Sequence, residues 1–136
     1  MKRSLVATAT VVAGVVVASP AFAPPAGADD QYVGFYSPSR NINCELDYQR
    51  AGIPDSTFCL SDEPMQSVTM DVNGALTLCD GMKCMANAPP GIPVLAYGQS
   101  MVRGPFTCRS ETSGVTCTVV SGRGFTISSS GITSVG

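Results

Sequence analysis

The chain has 136 residues, 8 of them basic and 10 acidic, and it contains neither histidine nor tryptophan. That length holds one domain rather than two. Without histidine, Ser-His-Asp and Cys-His catalysis, His-ligated zinc and the ordinary physiological-pH switch are all excluded.

The first 28 residues read as a secretory leader. Met1-Lys2-Arg3 is a short positive start, and Leu5 to Ala18 is an unbroken run of apolar or small residues. As a helix, fourteen residues rise about 21 Å, short of the roughly 30 Å hydrocarbon core. Ser19-Pro20 then breaks the run, and two A-x-A sites follow, Ala21-Phe22-Ala23 and Ala26-Gly27-Ala28. Pro24 hinders cleavage after Ala23, so the cut is expected after Ala28, leaving a mature chain of residues 29–136 with no membrane anchor. Losing Lys2 and Arg3 brings the net charge to −4. An acidic chain of this kind does not suit nucleic acid or anionic lipid as a partner.

From residue 29 onward, short runs alternate with breakers, and only 16 of the 108 residues are charged. That is well under the usual quarter, and Ser, Thr, Gly and Asn supply the polarity instead. The first strands are expected over Gln31 to Tyr36 and Ile42 to Tyr48. Cys59 to Gln66, with Ser61-Asp62-Glu63-Pro64, reads as one turn at most. Ser67 to Val72 and Ala75 to Cys79 form a predicted hairpin about Asn73-Gly74, whose residues tolerate the positive φ of a two-residue turn. That register puts Val68, Met70 and Val72 with Ala75, Thr77 and Cys79 on the core face, and Leu76 and Leu78 opposite. Ala88 to Pro93 is a proline-rich connection, Gly104 to Val120 a second hairpin, and Gly124 to Ser128 a further short strand. No helical period extends over ten residues, and no internal repeat is visible. The expected fold is all-β: a small single-domain antiparallel sandwich or partly closed barrel, stapled by disulfides.

All six cysteines, Cys44, Cys59, Cys79, Cys84, Cys108 and Cys117, lie in the mature part. An even count in a small exported domain reads as three disulfides, for which fifteen pairings exist. Alternation in GPFTCRSETSGVTCTV favours one of them, placing Cys108 and Cys117 on the same face of a hairpin. Cys79 can close on Cys84 across a tight turn, which leaves Cys44 for Cys59. The x4 and x8 spacings fit zinc patterns poorly, and a redox motif has two intervening residues rather than four. No metal or other cofactor is expected.

Few side chains point to chemistry. Asp71 and Asp80 are a conceivable carboxylate pair for a hydrolase, yet both sit where turns use Asp for backbone hydrogen bonds. Ser121-Gly-Arg123-Gly-Phe125 looks like a phosphate loop but has no helix after it. Arg123 is therefore a candidate for presentation to an anionic partner, and Tyr97 for stacking on a ligand. A stapled Cys79–Cys84 loop would present Met82 and Lys83, the only lysine of the mature part, as a preorganised contact. This is the manner of an inhibitor of an extracellular hydrolase. The leading expectation is a secreted, monomeric, non-enzymatic domain that binds an extracellular or cell-envelope partner.

Three stretches, FYSPSRNINCELDY (Phe35 to Tyr48), VLAYGQS (Val94 to Ser100) and GPFTCRSETSGVTCTVVSGRGFTIS (Gly104 to Ser128), carry a resemblance. Together they resemble a domain-of-unknown-function family of small secreted proteins from mycobacteria and other actinobacteria. The resemblance implies a secreted β-domain with structural disulfides and implies no activity. Many members have histidine where this chain has Arg123.

Overall fold

The computed structural model describes residues 13–14 and 32–136. The expected leader and its cleavage sites lie outside the described residues. No helix among those residues is long and apolar enough to cross a membrane.

Ten strands form two sheets, each a simple antiparallel meander. The first sheet has β1 (Tyr32–Tyr36), β2 (Ile42–Asp47), β3 (Ser56–Ser61), β4 (Gln66–Asp71) and β5 (Leu76–Asp80), paired in chain order. The second has β6 (Ser100–Arg103), β7 (Phe106–Glu111), β8 (Gly114–Thr118), β9 (Gly124–Ser128) and β10 (Gly131–Val135), also in chain order. Neither sheet closes on itself, so the fold is a sandwich rather than a barrel.

Period-two alternation sends one set of side chains from each sheet into a shared core. In the first sheet the register aligns Phe35, Cys44, Cys59, Val68 and Leu78 across the five strands. In the second it aligns Met101, Cys108, Cys117, Phe125 and Ser134. The central members of both rows are fully buried, and they join Leu46, Met70, Phe106, Val115 and Ile127 in one cluster. Burying each large apolar side chain stabilises the fold by roughly 1.5–3 kcal/mol.

The two rows correspond position by position, which reveals a repeat that the sequence hides. In each sheet a disulfide joins the third residue of the second strand to the fourth residue of the third: Cys44–Cys59 and Cys108–Cys117. Both join directly opposed residues, with Cα–Cα distances of 4.1 and 4.0 Å. Equivalent strands run in opposite directions across the sandwich. A pseudo-two-fold axis therefore passes between the sheets where Cys59 meets its equivalent Cys117, with Sγ atoms 3.7 Å apart.

The connector, residues 81–99, covers the outer face of the first sheet. It starts with Gly81 N–H donating to the Met65 carbonyl at 2.8 Å, then makes a single 3-10 turn, Met82–Cys84. The third disulfide, Cys79–Cys84, pins this turn to β5, and beneath it Leu60 and Ser67 are buried. Farther along, Ile92 packs on Gly34 of β1, where a Cβ would stand 3.1 Å from the isoleucine. Pro93 to Leu95 then line the β1 edge through Tyr36 N–H to the Pro93 carbonyl and Leu95 N–H to the Tyr36 carbonyl. One edge of the first sheet is thus shielded against further pairing.

Two local expectations are corrected. The β4–β5 loop has three residues rather than two, because Asp71 and Ala75 close it and Gly74 takes φ +79°. This slips the register by one residue, so Leu76 and Leu78 share the face of Met70 and Val68 while Cys79 turns outward beside Ser67. The segment expected to hold one turn from Cys59 onward instead begins inside strand β3, and the turn follows it.

Candidate functional site

Strand directions bring the turns together at two ends of the sandwich. At one end the β1–β2 turn, Tyr97 of the connector, the β7–β8 turn and the β9–β10 turn surround a cleft of about 250 Å³. Its walls are Ser37, Ser39, Asn41 and Ile42 from the first sheet, with Glu111, Thr112, Ser113, Gly114, Ser128 and Ser129 from the second. Gln66 ties the sheets together at this end, its Nε2 donating to the Ser128 carbonyl at 2.9 Å.

One wall is fixed by its own hydrogen bonds. Ser37 Oγ accepts the Ile42 N–H at 3.2 Å and lies 3.0 Å from Ser39 Oγ. The Asn41 amide clasps one backbone unit: Nδ2 donates to the Glu63 carbonyl at 3.0 Å, and Oδ1 accepts the Glu63 N–H at 2.9 Å. The opposite wall is open. Arg109 Nε donates to Glu111 Oε1 at 2.7 Å, holding the carboxylate from outside the cleft. Tyr97 is 45% exposed, and its turn is set by Gly98 N–H to the Ser110 carbonyl and Gln99 N–H to the Ala96 carbonyl. Glycine is needed at position 114, since a Cβ there would collide with the Ile127 carbonyl.

Of the side chains singled out from the sequence, the cleft gathers Tyr97 alone. Met82 and Lys83 stand on the 3-10 turn, with Met82 75% exposed and Cys84 buried beneath. Arg123 lies in the β8–β9 turn at the far end, where its stem packs against Gly74 of the β4–β5 turn. Asp71 serves that turn, its Oδ1 accepting the N–H groups of Asn73 at 2.8 Å and Ala75 at 3.0 Å. Asp80 pairs with Gln66 at the start of β4, five residues from Asp71. At strand rise the two backbone positions are about 17 Å apart, well beyond the roughly 9.5 Å that the carboxylates of a hydrolytic pair span.

All six cysteines are paired as 44–59, 79–84 and 108–117. Cys44, Cys59 and Cys117 bring their sulfurs within 4.8 Å of one another in the buried core. Held in disulfides, those sulfurs are not the thiolates that bind metals. A second titratable cluster lies at the far end, on the outer face of the first sheet. There Arg50 Nη1 reaches Glu45 at 3.3 Å and Asp47 at 3.2 Å. Burial, reinforced by the charge of Asp47, raises the Glu45 carboxyl above its ordinary value of 4.5 despite the attraction and hydrogen bond of Arg50.

The cleft's serines and threonines match no catalytic or ligand-binding motif, although nearly all of them lie within the three stretches that carry the resemblance, in the Ser-Pro-Ser run and the Glu-Thr-Ser-Gly turn. No family model matches the chain, and no curated protein or solved structure matches it.

Proposed function

We propose that this protein is a secreted, non-enzymatic binding domain that engages an extracellular or cell-envelope partner through the cleft between the two sheets. One observation carries the reading. Turns from both sheets converge on a single concavity whose one carboxylate, Glu111, is already paired with Arg109. The three disulfides fit an oxidising compartment. The reading is tested by co-sedimentation of the mature chain with washed cell envelopes. Filling the cleft with Thr112→Trp or Ser129→Trp is expected to reduce binding at least tenfold, with melting temperature unchanged. Equal binding by both variants overturns the cleft as the contact surface, and release of small products by the wild type overturns the non-enzymatic reading.

The inhibitor reading has one observation in its favour, the exposure of Met82 on a disulfide-closed turn. The 3-10 conformation weighs against it, because a protease cleft takes its inhibitor loop extended.

A further inference from the structure

Building on the reading of the cleft as the binding surface, we infer that its ligand is a neutral saccharide unit of an envelope glycan. The two walls divide the work. The side chains of the Ser37–Asn41 wall are held by bonds to their own turn and to Glu63, so this wall is the rigid one. On the facing side the hydroxyls of Tyr97, Thr112 and Ser113 have no hydrogen-bond partner among the described residues. Each hydroxyl both donates and accepts, which is what a ligand made of hydroxyl groups requires.

Charge excludes the other small-ligand classes. Glu111 is the only ionisable group lining the cleft besides the Tyr97 phenol, and no basic side chain lines it. An anion would therefore meet a carboxylate without a counter-charge inside. A cation would compete with Arg109, which holds Glu111 Oε1 and leaves Oε2 to accept a ligand hydroxyl. An apolar ligand finds one aliphatic side chain, Ile42, which is only 4% exposed, and otherwise the Tyr97 ring. The half-exposed ring of Tyr97 gives a flat C–H-binding face of the kind that stacks on a sugar.

Size and surroundings favour one unit of a longer chain over a free oligosaccharide swallowed whole. About 250 Å³ lies just under the roughly 300–1,000 Å³ of ordinary ligand pockets, so one ring fits. Beyond Ser128 the same face of the second sheet continues through Thr126 to Thr116, whose Oγ1 atoms lie 2.7 Å apart. A glycan leaving the cleft along this face meets these two hydroxyls and then Arg109, the cross-strand partner of Thr116.

The experiment uses the mature chain and the envelope fraction after three separate treatments: periodate oxidation of vicinal diols, protease digestion, and solvent extraction of lipids. Periodate is expected to lower binding at least tenfold, whereas protease and solvent leave it intact. Neutral oligosaccharides released from the same envelopes should compete, and Glu111→Gln and Tyr97→Ala should each weaken that competition fivefold or more. Binding that survives periodate but is lost after protease, and is still abolished by Thr112→Trp, overturns the saccharide assignment and leaves the cleft reading standing. Loss only on solvent extraction does the same in favour of a lipid. Competition unchanged in both Glu111→Gln and Tyr97→Ala places the sugar elsewhere and also overturns the assignment. Failure of both Thr112→Trp and Ser129→Trp to alter envelope binding removes the cleft reading and this inference with it.

Discussion

The two sheets share one plan and differ in their loops, and that difference decides where the molecule is open. The β2–β3 connection spans residues 48–55, whereas its equivalent between β7 and β8 spans only 112–113. At the far end the longer loop brings the Tyr48 ring over the β6–β7 turn, where a Cβ on Gly104 would stand 2.5 Å from the ring. By the pseudo-symmetry, the equivalent space at the other end lies between the β1–β2 and β7–β8 turns. No aromatic ring fills it there, and it is the cleft. Among the described residues, a doubled scaffold thus has one end closed by the long loop and a cleft at the other, beside the short one. The core keeps the two-fold plan while the turns depart from it.

The largest effects are expected where the halves are most alike. Removing Cys44–Cys59 as a double alanine variant opens a loop of 15 residues, and removing Cys108–Cys117 opens one of 9. Chain entropy alone gives losses of about 3 and about 2.6 kcal/mol. Both sites lose similar packing, so urea denaturation should find the two variants within about 1 kcal/mol of each other. A much larger gap would show that the halves do not share the core equally. Gly104→Ala comes next, with an expected loss of about 2 kcal/mol from its φ of +53° and from displacement of the Tyr48 ring. In the Gly104→Ala/Tyr48→Ala pair the losses should fall short of additive, because the second change removes the clash. Additive losses would mean that the ring is not what fills that end.

What the sequence made legible follows from how local each signal is. Alternation around Cys108 and Cys117 lies within one hairpin, and it gave the strand faces and that disulfide. The repeat stayed hidden because its halves share geometry, not residues: Ile-Asn-Cys-Glu-Leu-Asp in β2 answers to Phe-Thr-Cys-Arg-Ser-Glu in β7. Strands β6 and β10 are short and edge-placed, with little alternation to betray them. The cleft was illegible for a different reason: four turns far apart in the chain build it, and each reads separately as polar loop.

The β4–β5 register shows how one side chain overrides a turn signal. Asn73-Gly74 satisfies a two-residue turn, but the Asp71 carboxylate collects the N–H groups of Asn73 and Ala75 and stabilises a longer loop. Asp71→Ala removes both acceptor contacts at an exposed turn and is expected to cost about 1 kcal/mol by thermal denaturation. An unchanged midpoint would show that Gly74 alone sets the loop. The equivalent turn in the second sheet, between β9 and β10, has no aspartate, and Ser128 Oγ there accepts the Ser130 N–H at 3.1 Å. Ser128→Ala should therefore cost less than Asp71→Ala, since the neutral hydroxyl accepts one N–H and donates to the Gly131 carbonyl at 3.5 Å, in place of two charge-assisted bonds.

The smallest effect tests the outer faces, where the halves diverge most in charge. The first sheet carries Glu45 and Asp47 against Arg50, whereas the second carries the exposed pair Arg109 and Glu111. Burial first, and then Asp47, raise the Glu45 carboxyl above 4.5, so the folded state holds its proton more tightly than the unfolded chain does. The stability this gives is fully present below pH 4.5 and is lost as pH rises through the raised folded value. Glu45→Gln has no such titration. Its stability relative to the wild type should rise between pH 4 and pH 7, followed by urea denaturation at each pH. If the relative stability of Glu45→Gln falls over that range instead, the attraction of Arg50 outweighs burial and the Asp47 charge. The outer face of the first sheet would then be held together by its ion pairs rather than by the connector laid across it.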